Sequence, residues 1–277
     1  MQPEYRETAT ASRMAAGLHV LSARPARPGP GKPPLLFVHG AWHGAWCWEQ
    51  HFLPFFAGQG YEVHALDLRG HGQSPAKKPM RWNRIADYVD DVRAVVGTFD
   101  KPPVVIGHSM GGLICQHLMR RTDHLAGVGL LATVPSYGVW RAAANIALHR
   151  PLDFARANLT LSLYPLVADP VKARHMFIDE EASAAETRAF AARLTDESYL
   201  GFLDMLAFAL PRAGPAAMPM LIVGGGKDTL FSPSSQRHTA NRYGCDCHIV
   251  PGAPHDLMLS RNWQVAAGHF LDWLARF

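Results

Sequence analysis

Between an apolar run, Val104-Val105-Ile106, and a second run with helical spacing, Leu113 to Met119, the chain reads Gly107-His108-Ser109-Met110-Gly111-Gly112. A strand, a tight turn and a helix are predicted, and few folds place a serine between glycines two residues away on each side. A side chain at Gly107 or Gly111 would collide with neighbouring backbone, so the turn can be sharp and strained, lifting the Ser109 hydroxyl clear of the sheet. The N–H of Met110, free at the start of the helix, would then face the oxygen of an attacked carbonyl. The alternative is a glycine-rich turn with a chance serine. So short a pattern does recur by chance, and its weight rests on partners elsewhere in the chain.

Strand and helix signals alternate on both sides of this turn. Residues 1–17 read as a loose N-terminal arm, followed by a short strand over Leu18 to Leu21 and a Pro- and Gly-rich loop. Leu35-Leu36-Phe37-Val38 is a continuous apolar run stopped by His39-Gly40, as expected of a strand buried on both faces. A helix is predicted around Trp46 to Phe56. A strand over Tyr61 to Leu66 then ends in Asp67-Leu68-Arg69-Gly70-His71-Gly72. From Ile85 to Phe99 the apolar residues fall at helical spacing. Further strands are predicted at Val128 to Leu131, Met220 to Val223 and Cys247 to Val250, with a closing amphipathic helix over Trp263 to Phe277. This alternation predicts an α/β fold with a mostly parallel, doubly wound sheet. Between Ala132 and about Pro215 the alternation breaks, and prolines at 135, 151, 165, 170 and 211 interrupt helical patterns. The expected organisation is a core of residues 18–132 and 216–277 with a helical cap, 133–215, inserted in it.

A nucleophilic serine needs a base for its proton and a carboxylate to orient that base. Asp228 follows the Met220 strand through Gly224-Gly225-Gly226-Lys227. His255 follows the Val250 strand through Pro251-Gly252-Ala253-Pro254, so both lie at carboxyl ends of strands. The order Ser109, Asp228, His255 is the one that the elbow pattern predicts. Asp228 could instead only cap a turn, and His255 is one of 15 histidines. The rival acids Asp204 and Asp256 lie on a predicted helix and directly beside the histidine, where reach to its ring is poor. The second oxyanion donor should come from the loop after another central strand, and the N–H of Ala41, after Val38, is the candidate to pair with that of Met110.

Lys and Arg exceed Asp and Glu by only 27 to 23, and no long basic run occurs, so nothing indicates a nucleic-acid partner. Cysteines at 47, 115, 245 and 247 are too scattered for a disulfide framework, and Cys245-x-Cys247 lacks a second pair for a metal site, so none is expected. No apolar run is long enough for a membrane span, and the N-terminus holds no sustained apolar stretch; a cytoplasmic protein is expected. The oligomeric state is left open.

His39-Gly40-Ala41, Asp67 to Gly72, Gly107 to Gly112, Gly224 to Asp228 and Gly252 to His255 together resemble the α/β-hydrolase superfamily, over about residues 35–130 and 218–277. Within it, His39-Gly40-Ala41-Trp42-His43-Gly44-Ala45-Trp46-Cys47-Trp48 is similar to the opening of the plant methylesterase and hydroxynitrile lyase group. The resemblance implies a serine hydrolase that cleaves a small-molecule ester without metal or organic cofactor. In that group the lyases carry threonine where Gly40 stands and lysine just after the catalytic histidine, where this chain has Asp256. Cyanohydrin cleavage needs a cation to hold departing cyanide, so these departures favour ester hydrolysis. The elbow is equally similar to those of monoacylglycerol lipases and carbon–carbon bond hydrolases. These, a thioesterase, or a ligand-binding protein that kept the fold stand as alternatives. An aspartate nucleophile, as in related dehalogenases and epoxide hydrolases, is excluded by Ser109. The cap should roof the pocket, with Trp42, Trp140, Tyr164, Phe202 and Met205 as candidate lining. Its few charges from Leu194 to Leu210 suit an apolar acyl or aryl group.

Overall fold

Eight strands form one sheet in the computed structural model, which describes residues 10–212 and 214–277. They are β1 (Ala11–Ala15), β2 (Leu18–Ala23), β3 (Leu35–Val38), β4 (Val63–Leu66), β5 (Val104–His108), β6 (Gly127–Leu131), β7 (Met220–Gly225) and β8 (Asp246–Val250). Their order is β1-β2-β4-β3-β5-β6-β7-β8; β1 and β2 run antiparallel at one edge, and the other six are parallel. Helices α1 (Trp46–Glu49), α2 (Phe52–Gly58), α3 (Ile85–Val96) and α4 (Met110–Leu118) precede the insertion. Within it lie α5 (Trp140–His149), α6 (Pro151–Thr160), α7 (Pro170–Phe177), α8 (Ala184–Ala191) and α9 (Tyr199–Leu203), and α10 (Pro233–Tyr243) and α11 (Trp263–Leu274) complete the chain.

Side chains alternate along a strand, so each buried strand feeds two cores. Leu36 and Val38 of β3 join Val92, Leu113 and Tyr243 of α3, α4 and α10, whereas Leu35 and Phe37 join Trp48, Phe56 and Phe270 of α1, α2 and α11. This double coverage explains why β3 and β5 read as uninterrupted apolar runs. The segment between β6 and β7 is helical and has an apolar cluster of its own around Leu166, Phe177 and Phe190. Two buried carboxylates tie it to the sheet side. Asp204 pairs with Arg84 and accepts the Ile85 N–H at the start of α3 (3.0 Å). Glu197 accepts from His71 Nε2 and the Tyr88 hydroxyl, both at 3.0 Å. No helix among the described residues is long and apolar enough to cross a membrane.

Two expectations need correction, and one helix has no counterpart among the predicted elements. Residues 1–9 lie outside the described residues, but Ala11–Ala15 are no loose arm: they form the edge strand β1, in register with β2 from Ala11↔Ser22 to Ala15↔Leu18. Four of its five residues are exposed, which leaves no apolar alternation to read. The helix expected over Trp46 to Phe56 is two helices that break at His51 (φ −129°). Pro54 would clash with the carbonyl four residues earlier in a continuous helix, and the restart places it in a first turn. The polar stretch Pro233–Tyr243 carries no apolar stripe, yet it forms α10 behind a Ser232 N-cap that accepts the Ser235 N–H.

The turn after β5 rests on direct backbone contact: a Cβ at Gly111 would lie 2.4 Å from the Val38 carbonyl oxygen and 2.5 Å from that of His39. Gly111→Ala is expected to cost about 1–3 kcal/mol through overpacking, read as a lower midpoint in urea unfolding. Gly97→Ala, where the added methyl meets only ordinary contacts at 3.5 Å or more, is the near-neutral control.

Candidate active site

Ser109 sits at φ 52° and ψ −116°, a conformation that an L-residue reaches only at a cost of about 1–3 kcal/mol. Its backbone is held there from both sides. The Ser109 N–H donates to Leu131 O (3.0 Å), and its carbonyl accepts from Gly112 N (3.0 Å) and Val134 N (3.1 Å). The glycines are required by space: a Cβ at Gly107 would lie 2.3 Å from Gly111 O, and one at Gly112 would lie 2.3 Å from Thr133 Oγ1. Neither the Met110 N–H at the start of α4 nor the Ala41 N–H in the loop after β3 meets an acceptor among the described residues. Both are left free for a ligand oxygen.

The loops after β7 and β8 lie backbone to backbone. Gly226 N donates to Val250 O and Lys227 N to Ala253 O, each at 2.9 Å, and a Cβ at Gly225 would sit 2.4 Å from Pro254 O. This brings Asp228 Oδ2 within 2.8 Å of His255 Nδ1. The other carboxylate oxygen accepts from Leu230 N (2.8 Å) and Phe231 N (2.9 Å). Asp228 therefore caps its turn and holds the histidine, and the first task fixes the carboxylate plane for the second. With Nδ1–H donated to Asp228, Nε2 is the acceptor nitrogen. It is buried and meets no hydrogen-bond partner among the described residues. Burial alone would make the imidazole a weaker base, but the Asp228 charge and hydrogen bond, helped by Asp256, raise its pKa above the ordinary 6.5. Asp204, the rival acid, is occupied at α3 with Arg84 and Ile85.

Ser109, Ala41 and Met110 line one cavity of about 60 Å³ with otherwise apolar walls, and Trp42, Phe202 and Met205 line it too. Phe231 joins this lining, with its ring centroid 5.3 Å from that of His255. Trp140 and Tyr164 do not line it; they are 49% and 42% exposed. On α5 the positions facing the cavity are Ala142, Ala143 and Ile146, and Trp140 is turned off that face, with the Arg141 guanidinium 5.1 Å over its ring. Leu163 and Leu166 face the cavity three residues apart across a 3₁₀ turn, leaving the intervening Tyr164 outside.

Behind the serine lies a buried polar layer that no sequence motif signalled. Asp256, next to the histidine, accepts from His43 Nε2 (2.9 Å), and His43 Nδ1 faces the Ala41 carbonyl (2.7 Å), which links the loop after β8 to the loop after β3. Burial pushes the Asp256 carboxyl up, but His43, with His108 and His255, brings it below its ordinary range. His108 is held well below an ordinary histidine by burial and by His255; its Nε2 reaches the His255 carbonyl (3.2 Å). Glu197 and His71 form a second such pair. Burial opposes both charges, yet the pairing lowers the Glu197 pKa and raises that of His71. Trp42 (φ 64°) is tied to the insertion three times: its N–H to Glu197 (3.3 Å), its carbonyl to Thr195 N (3.0 Å) and its indole N–H to Leu163 O (3.3 Å).

Donor atoms of His108, His255 and Asp256 lie within 4.8 Å of one another, a spacing that a metal could bridge. Asp256 Oδ2 is engaged by His43 while Oδ1 stays without a hydrogen-bond partner among the described residues, and a metal on His255 Nε2 would occupy the nitrogen that Asp228 prepares as an acceptor. Cys245 and Cys247 are pushed up to about 12 and about 11, chiefly by burial, and are poor thiolate ligands. The two lyase-type positions are closed as well. A Cβ at Gly40 would meet His108 Nδ1 at 2.8 Å and Ser109 Cβ at 2.9 Å, and Asp256 is locked to His43.

A mostly parallel sheet with serine, aspartate and histidine on the turns after three of its strands is the architecture of an α/β hydrolase. The chain belongs to the alpha/beta hydrolase family, which it matches over residues 35–267. It is 25% identical to a monoacylglycerol lipase of Mycolicibacterium smegmatis over 81% of this chain and 81% of that one. It is 33% identical to methyl jasmonate esterase 1 of Vitis vinifera over 35% of this chain and 38% of that one. Several curated relatives are likewise matched over less than half of their length. The crystal structure of a monoacylglycerol lipase from Paleococcus ferrophilus shares the fold, with a TM-score of 0.69 and 20% identity over 93% of this chain and 98% of that one.

If His255 is the base it must be neutral to act, so kcat/KM should fall as pH drops through a pKa above 6.5. Asp228→Asn removes the charge that raises this value. The acid limb should move to lower pH, and kcat should fall by up to ~10⁴, the loss seen for the equivalent change in the best-studied serine triad. pH–rate profiles of both proteins, with Asp204→Asn as control, test the assignment. Loss in the control alone would show that the acid lies elsewhere.

Proposed function

We propose that this protein hydrolyses a carboxylic ester of a small, largely apolar substrate through an acyl-enzyme on Ser109. The observation that carries the reading is the buried acceptor nitrogen of His255, oriented by Asp228, beside a cavity that holds Ser109 and two unpaired backbone N–H groups. As Ser109 Oγ attacks the carbonyl carbon, its proton passes to His255 Nε2, and the N–H groups of Ala41 and Met110 hold the oxyanion. Collapse breaks the bond to the alcohol, which leaves with the proton from His255. Water then attacks the acyl-enzyme, giving a proton to the same nitrogen, and the acid departs as Oγ is reprotonated. Residues 133–215 serve as the cap that closes the acyl side.

Relatives that are esterases and lipases by name support an ester over a thioester or a carbon–carbon bond. The cavity sets the acyl size. At about 60 Å³ it is well under half of the ~150 Å³ cavity that takes benzene in a protein core, so it suits an acyl group of a few carbons better than a fatty chain.

The test is a series of p-nitrophenyl esters with the purified protein. Turnover with an initial burst of p-nitrophenol is expected, with kcat/KM highest for acetyl to butyryl and lower by octanoyl. Ser109→Ala should lose activity by a factor on the order of 10⁶, as in other serine triads, with the fold intact by circular dichroism. A Ser109→Ala protein that keeps most of its activity would overturn the reading. Stoichiometric binding without turnover would make the protein a binder.

A further inference from the structure

An outer pocket of about 290 Å³ adjoins the serine cavity, and the two share Ile146, Met176 and Leu230. These three apolar side chains form a partition, with an apolar chamber on one side and a polar one on the other. Asn145, His149, Arg150, His175 and Thr229 line the outer chamber, and no acidic residue does. Arg150 is half-buried between α5 and α6, and its guanidinium contacts the partition at Met176 Sδ, 3.6 Å away. No ion pair of Arg150 occurs among the described residues. Asp153, the acid in the first turn of α6, is taken by Lys172 at 2.6 Å. A half-buried guanidinium in a chamber without a counter-charge is suited to an anion, which it can grip through charge-assisted hydrogen bonds.

The partition between the two chambers lies next to the residues that flank His255. An ester's leaving oxygen must reach His255 Nε2 to be protonated, and the rings flanking His255 are those of Phe231 and Phe177, with centroids at 5.3 and 6.0 Å. Leu230 and Met176 of the partition are the chain neighbours of those two residues. Ala41 and Met110, the oxyanion donors, line the inner chamber and not the outer one. An ester with its acyl group in the inner chamber would lead its alcohol portion past the partition toward Arg150.

We propose that the outer chamber is a leaving-group subsite for an anion, so that the substrate is a short-chain acyl ester whose alcohol portion carries a carboxylate or a phosphate. This rests on the ester-hydrolase reading above. The test compares 4-acetoxybenzoate and 4-acetoxyphenyl phosphate with the neutral 4-acetoxybenzamide, each normalised to its own hydroxide-catalysed rate. kcat/KM for at least one anionic ester should exceed that of the amide about tenfold, mainly through KM, and which of the two leads distinguishes carboxylate from phosphate. In Arg150→Ala the ratio should collapse toward one, and in Arg150→Lys part of it should persist. Added salt should shrink it. Anionic-to-neutral ratios near one in the unmodified protein, or a preference unchanged in Arg150→Ala, would overturn the subsite while leaving the ester hydrolase standing. Failure to cleave any of the three esters would sink both.

Discussion

At Gly111 the first turn of α4 lies directly on the carbonyl oxygens of Val38 and His39, backbone on backbone, with no side chain between. The rest of the site depends on this contact. It joins the end of β3 to the end of β5, so Ala41, in the loop after β3, and Met110, at the start of α4, line one cavity. The same closeness holds Ser109 at positive φ, because its neighbours on both sides are fixed by strands.

Around that contact, buried carboxylates fix the loops. Asp67 accepts from Ala45 N (2.6 Å), Gln73 N (3.0 Å) and His19 Nδ1 (2.7 Å), fastening the loop after β4 to the start of α1 and to β2. Arg69 is held by both oxygens of Asp91 at 2.8 and 2.6 Å. Asp228, Asp256, Glu197 and Asp204 do the same for the other loops. Of these carboxylates only Asp256 keeps a buried oxygen, Oδ1, without a hydrogen-bond partner among the described residues, and removing a partner from such a group typically costs about 3–5 kcal/mol. The charges thus set loop geometry more than they add stability, while the apolar cores on the two sheet faces supply the driving force.

Much of this was legible in the chain because it rests on local pattern. The runs Leu35–Val38 and Val104–Ile106 show buried parallel strands, and the glycines around Ser109, before Asp228 and before His255 mark the close approaches that bring the loops together. What escaped depends on long-range contact. Glu197 lies 126 residues from His71, and Asp256 lies 213 residues from His43; nothing near either acid indicates a partner. Trp140 and Tyr164 were misjudged because size and apolarity suggest burial, while helix phase decides which way a side chain turns, and phase in the insertion is reset by each proline. The edge strand β1 is held by backbone pairing with β2, by the Ser12 hydroxyl on His19 (2.7 Å) and by the buried Ala15, and four exposed residues of five leave little trace in residue type.

Trp42 is bonded to the insertion through its N–H, its carbonyl and its indole, and it follows Ala41 directly in the chain. The helical segment and the loop after β3 are therefore a single mechanical piece. A chimera that exchanged residues 133–215 for the corresponding segment of a relative would inherit a displaced loop after β3 unless the graft also supplied an acceptor for the Trp42 N–H, a donor for its carbonyl and an acceptor for its indole. In this chain, diversification of the substrate pocket is confined to side chains that leave those three bonds intact.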